Sequence, residues 1–138
     1  MKYFELESAY EYSNFDGSYE HFAFISKKTG EILYGDEDGE IDEEQLEEYF
    51  ESDDFIQLPD KRDLDLGTQL VWKFVRKEIP GLEPKVRAIF SRRGAYARFK
   101  GFLEYNELLD SWYTFESEMK KAALLEWCAE NGIEVESD

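Results

Sequence analysis

The spacing of apolar and polar residues changes along the chain. In YFELESAYEY (3–12), Phe4, Leu6, Tyr10 and Tyr12 share one parity, while Glu5, Glu7 and Glu11 share the other. A period of two predicts a half-buried strand. Asn14-Phe15-Asp16-Gly17 reads as a turn. SYEHFAFIS (18–26) predicts a second strand. Residues 27–30 form a loop with Gly30 where a positive φ suits, and residues 31–34 a short third strand. Together these make an antiparallel meander. FIQL (55–58), ended by Pro59, predicts a fourth strand at or near an edge.

Between the third and fourth strands the grammar is helical. Asp42 suits an N-cap and Gln45 the third helical position, a capping-box pair. Ile41 and Leu46 are placed for a hydrophobic staple, Glu43 and Glu44 favour the positive end of the helix dipole, and Leu46, Tyr49 and Phe50 form one apolar stripe. A short helix with a very acidic outer face is predicted.

From residue 63 onward the period is helical throughout. Leu66, Leu70, Val71, Phe74 and Val75 predict a helix ending near Ile79-Pro80-Gly81. Glu83-Pro84 starts another, with Val86, Ile89 and Phe90 on its apolar side and Gly94 breaking it. Tyr96, Phe99, Phe102 and Leu103 stripe the next. Asp110 or Ser111 caps a last long helix through Trp112, Phe115, Met119, Ala123 and Trp127, stopped at Asn131-Gly132. Strands first and helices second predict an α+β fold. In it an N-terminal antiparallel sheet of three or four strands, with one short acidic helix, packs against three or four C-terminal helices. The length of 138 residues predicts a single domain, 1–138.

Composition narrows the class. A hydrophobic content of 42%, with 17% aromatic residues, is enough for a core. The one cysteine, Cys128, forms no internal disulfide; the N-terminal residues carry acids where a signal peptide needs an apolar run; and no apolar stretch has membrane-spanning length. These features predict a cytoplasmic protein without a membrane partner.

Charge divides the chain. Residues 1–60 carry a net charge of -16 out of the total of -17, with 12 acids and no base between residues 36 and 54. That asymmetry argues against whole-surface attraction to nucleic acid or anionic lipid. It leaves one exception: residues 85–100 hold six bases and no acid.

Few residues point to chemistry. With Gly39 at the sixth position of a calcium loop, Tyr34 and Gln45 fall where carboxylates are required, so that motif fails at both ends. His21 is the one histidine, which rules out zinc sites built on several histidines of one chain. Cys128 lies on an apolar helix face, where a structural cysteine also lies. There is no phosphate-binding loop and no dinucleotide fingerprint. No catalytic residue, metal or cofactor is assigned.

The basic segment offers Arg92, Arg93, Arg98 and Lys100 as candidate anion-binding residues. Arg92 and Arg93 are expected in the last turn of one helix, where cations offset the negative dipole end, with Gly94 as a left-handed cap. The free N–H groups of the next helix, framed by the two arginines, could hold a phosphate or carboxylate. At about 100° per residue, Lys100 borders the stripe of Tyr96, Phe99, Phe102 and Leu103 while Arg98 points roughly 160° away from Lys100. Contiguity in sequence therefore does not make a patch. Fold stabilisation or partner docking ranks ahead of nucleic acid, which the acidic half repels.

TGEIL (29–33), FIQLP (55–59), RGAYARFK (93–100), Trp112-Tyr113 and EWCAENGI (126–133) occur in an order and spacing that resemble an uncharacterised bacterial protein family. The resemblance covers residues 20–134. It implies a cytoplasmic bacterial protein of unknown function and carries over no site.

The leading expectation is a non-enzymatic protein-binding or regulatory module that docks a protein partner or itself as a homodimer, its acidic face steering basic partners. A patch exposing Trp112, Tyr113 or Tyr10 would favour it. The alternative is an RNA- or phosphate-binding protein using Arg92, Arg93, Arg98 and Lys100. A carboxylate-based or metal-dependent hydrolase comes third.

Overall fold

The computed structural model describes residues 1–15, 21–36 and 42–136. The chain divides into two compact units, Met1–Leu64 with Lys121–Asp138, and Asp65–Lys120. The fold is α+β, with its antiparallel sheet in the N-terminal half and a run of helices after it.

In the first unit, residues 3–12 are not a strand: Tyr3–Ser13 form helix α1. The buried residues are Tyr3, Leu6, Ala9 and Tyr10, spaced by three and four, which is one face of a helix. Leu6 and Tyr10 satisfy the two-residue and the helical period alike. Helix-favouring Glu5, Leu6, Glu7, Ala9 and Glu11 settle the local preference. At the start, the Glu5 carboxylate accepts a 3.0 Å hydrogen bond from the Lys2 N–H. At the end, the Asn14 side chain donates to the carbonyls of Tyr10 and Pro59 and accepts from the Lys61 N–H at 2.9 Å. Asn14 thereby ties α1 to the 59–61 loop. The remainder of the expected turn, Asp16-Gly17, lies outside the described residues.

Strands β1 (His21–Ser26), β2 (Ile32–Asp36) and β3 (Phe55–Gln57) form an antiparallel sheet in the order β2-β1-β3. These are the second, third and fourth strands expected from the sequence; residues 18–20 lie outside the description. β3 is an edge strand, as Pro59 required. Cross-strand partners share a face. Ala23 pairs with Tyr34, and Ile25 with Ile32 and Ile56. This face meets α1, where the Tyr12 ring contacts those of His21 and Tyr34. On the other face, Phe22, Phe24 and Phe55 meet Tyr49 and Phe50 of helix α2 (Glu43–Glu51). The sheet is covered on both sides, so its central strand is a continuous apolar run rather than an alternating one.

Helix α2 begins as its sequence predicts. The Gln45 N–H donates to the Asp42 carboxylate at 2.9 Å, and the Gln45 side chain accepts from the Asp42 N–H at 3.3 Å. Ile41 of the expected staple lies outside the described residues, as does the Gly39 region of the rejected calcium loop. Both described ends of the chain meet in this unit. The Tyr3 N–H donates to the Glu136 carbonyl, and the Glu136 N–H to that of Met1.

The second unit is helical. It contains α3 (Thr68–Glu78), a 3-10 turn at Pro80–Leu82, α4 (Glu83–Ile89), α5 (Ala95–Tyr105) and the first half of α6 (Leu109–Glu130). Its core gathers Leu70, Val71, Phe74 and Val75 of α3 with Val86, Phe99, Leu103 and Trp112. The Trp112 ring stands 5.3 Å from both Phe74 and Phe99 and 6.4 Å from Phe115. Two helix ends differ from expectation. α4 stops at Ile89, where the Ser91 hydroxyl donates to the Ala88 carbonyl and closes the end. Arg92 and Arg93 therefore lie in the turn after α4, not in its last turn. α6 begins at Leu109, ahead of Asp110 and Ser111, and Asp110 instead supplies negative charge to the first turn. Between α5 and α6, Glu107 takes a left-handed φ of 57°, and the Leu108 N–H reaches back to the Leu103 carbonyl at 2.7 Å. Gly132 ends α6 with φ 70° in the same way.

Candidate docking site

α1 lines an open trough in the first unit, with β2 opposite one part and the start of β1 at the other. One part, about 620 Å³, is lined by Met1, Phe4, Glu5, Ser8, Ile32 and Tyr34, with the 29–31 turn at its end. A second part, about 510 Å³, is lined by Glu7, Ser8, Glu11, Tyr12, Phe15 and His21. Ser8 belongs to both, so the two parts follow one another along α1. The surface combines rings and carboxylates. Phe4 is 55% exposed, Tyr34 43% and Phe15 64%. Glu5, Glu11 and Glu31 are exposed beside them. Burial, and then the charge of Glu5, raise the Tyr34 phenol above its usual value. The Glu5 carboxylate thus acts electrostatically at the tyrosine's position.

His21 closes one end of the trough. Its ring stands 4.8 Å from Tyr12 and 5.5 Å from Phe15, and its Nδ1 is buried with no hydrogen-bond partner among the described residues. Cys128 is buried in the same unit, and burial pushes its thiol up to about 11. It is a core residue on an apolar helix face.

The basic segment is dispersed. Arg98 donates to the carbonyls of Ile89, at 2.8 Å, and Arg93, and so holds the α4–α5 turn closed. The Lys100 ammonium lies 6.0 Å from the Tyr96 ring and 5.8 Å from the Tyr113 ring. Arg92 and Arg93 are exposed, and no hydrogen bond or ion pair engages their side chains among the described residues. Of the four candidate residues, two serve local structure and two face solvent. Arg87 bonds Glu83 at 3.2 Å and covers the Trp72 ring. The Tyr96 phenol, raised to about 12 by burial and then by Glu116, belongs to the same packed ring network.

The patch exposing Trp112, Tyr113 or Tyr10 that would favour a docking module does not form. Trp112 and Tyr10 are buried, and Tyr113 is exposed in the second unit. The residues missed are Phe4, Glu5, Phe15 and Tyr34. One signal could have found part of the trough: Phe4, Ser8 and Glu11 are spaced by four and three beside the Leu6–Tyr10 face. Reading residues 3–12 as a strand concealed it. Among the described residues, no cluster of His, Cys, Asp and Glu could hold a metal, and no helix is long and apolar enough to cross a membrane.

The chain belongs to the Uncharacterised protein family UPF0158, whose model matches residues 6–137. The match reaches further toward the N-terminus than residue 20, taking in α1 from Leu6 onward. No curated protein and no solved structure matches the chain.

Proposed function

We propose that this family member is a non-enzymatic, cytoplasmic protein-binding or regulatory module that docks a protein partner along the α1–β2 trough. One observation carries the reading: exposed rings of Phe4, Phe15 and Tyr34 share an open trough with exposed carboxylates. Single apolar residues on a surface need no explanation, but exposed rings grouped along neighbouring cavities support a contact surface. The rings supply area that association would bury, and the carboxylates supply steering and register.

The test is a photo-crosslinking amino acid placed at Phe4, in the cells the protein comes from. Tyr105, 87% exposed in the second unit, is the comparison position. A discrete cross-linked protein at position 4, absent at position 105 and lost with Tyr34→Ala, is the expected result. No adduct at position 4, or the same adducts at both positions, removes the reading.

Arg92 and Arg93 support a second reading, RNA or phosphate binding. They are exposed and uncommitted, whereas Arg98 and Lys100 are engaged locally. Fluorescence anisotropy with a short single-stranded RNA, at low and near-physiological salt, separates the two readings. Salt-sensitive binding lost in a still-folded Arg92→Ala/Arg93→Ala variant would move the function to the second unit.

A further inference from the structure

We infer that the trough's occupant is an extended basic segment of the partner, added as a new strand along the outer edge of β2. The inference rests on the docking reading above and names the chemistry of what docks.

The hydrogen-bond phase of the sheet turns one set of β2 backbone groups toward that edge. The Ser26 N–H donates to the Glu31 carbonyl at 2.8 Å. Given the register, Phe24–Leu33 and Phe22–Gly35 are then the pairs that exchange backbone bonds. The opposite side of β1 agrees. The Leu58 N–H reaches the Ala23 carbonyl and the Lys27 N–H that of Asp54, so odd-numbered residues of β1 serve β3 and even-numbered ones serve β2. Ile32 and Tyr34 accordingly turn their N–H and C=O groups away from β1. Among the described residues no strand pairs with them.

The two edges of the sheet are guarded differently. β3 is three residues long and followed by Pro59, both of which discourage pairing. β2, ILYGD, carries neither Lys nor Pro. A sheet edge without those guards favours strand addition.

Alternation then specifies the segment. Successive side chains of an added strand face opposite sides. Those on the α1 side would meet Phe4, Glu5 and Tyr34, with Glu31 of the 29–31 turn at the end of the trough, a setting of rings and carboxylates that fits Lys or Arg. Those on the α2 side would continue the face of Leu33 and Phe22, beside the partly exposed Phe50. Apolar side chains fit there. The charge of -16 in residues 1–60 favours the same cationic partner and disfavours RNA at this surface.

Fluorescence anisotropy on the full chain tests this with three labelled octapeptides: one alternating Lys and Val, a block isomer of the same composition, and the alternating peptide N-methylated at every second residue on its pairing edge. The alternating peptide should bind about tenfold tighter than either control, roughly the effect of one or two backbone hydrogen bonds. Glu5→Gln with Glu31→Gln should weaken it about tenfold. Glu44→Gln with Glu47→Gln, an equal change of charge on the outer face of α2, should leave it within about twofold. Glu5→Gln retains an acceptor for the Lys2 N–H, and circular dichroism checks folding.

Equal affinities for the three peptides, or equal effects of the two charge pairs, would reduce the binding to bulk attraction and overturn the inference. Cross-linking at position 4 without cationic-peptide binding would also overturn it while leaving the docking reading in place. Failure of both experiments removes both. A homodimer by light scattering that Tyr34→Lys makes monomeric would assign the edge to a second copy and overturn the inference.

Discussion

In the first unit Phe4 and Tyr34 are about half exposed beside Glu5 and Glu31; in the second, Phe74, Phe99 and Trp112 close on one another and three of the cations near them are engaged. Arg98 holds two carbonyls, Arg87 holds Glu83 and covers Trp72, and Lys100 sits between two tyrosines. The sequence draws attention to the basic segment because its charges are consecutive. The structure assembles a surface elsewhere, from acids and rings some thirty positions apart. Consecutive residues on a helix fan out around its axis. Convergence comes from the faces that burial turns toward the same space.

The largest effect expected from this contrast lies in the second unit. Trp112→Ala removes the ring between Phe74, Phe99 and Phe115, and should cost about 3–5 kcal/mol in urea unfolding. A cost below about 1 kcal/mol would mean that the ring network is not the core of that unit.

The next effect concerns Cys128, in the core of the first unit. Burial raises its thiol to about 11 and leaves it 1% exposed, so at pH 8 its reaction with a disulfide reagent should be at least about tenfold slower than that of a free thiol. The sign for stability follows from linkage. The folded state holds the proton more tightly, so the contribution is full below the unfolded value near 9 and is lost as pH rises through about 11. Urea unfolding from pH 8 to 11, compared with Cys128→Ala, checks it. Parallel pH curves for the two proteins would refute the assignment.

The smallest effect separates the arginines. Arg98→Ala removes two guanidinium–carbonyl bonds, at an exposed position where solvent screens them, and should cost about 1 kcal/mol. Arg92→Ala with Arg93→Ala should change stability by less than about 0.5 kcal/mol. The reverse ranking in thermal or urea melts would show that Arg92 and Arg93, not Arg98, hold the α4–α5 turn.

Much of the fold is legible in the sequence where the deciding contacts are local. Asp42 and Gln45 mark the start of α2 because each satisfies the other's backbone N–H within one turn. Leu70, Val71, Phe74 and Val75 mark α3 because their spacing has one helical reading. α1 is different. Tyr3, Phe4, Leu6, Tyr10 and Tyr12 support two periods, and the choice depends on which residues the sheet covers. The end of α4 at Ile89 is only partly local: Ser91 closes it on Ala88, but the Ile89 carbonyl also accepts from Arg98, nine residues away.

The amino-acid sequence by itself determined the α+β class, the three strands, the capped acidic helix and the charge division at about residue 60. All of these rest on composition or on interactions within a few residues. The tertiary structure alone decided which face of α1 is covered and that Phe4 is turned outward, that Glu5 lies near Tyr34, that no described strand pairs with the outer edge of β2, and that Arg98 is committed to backbone carbonyls. Each of these depends on which distant segments meet. That choice is made by burial of apolar area across the whole unit, a non-directional force that no short window of sequence contains.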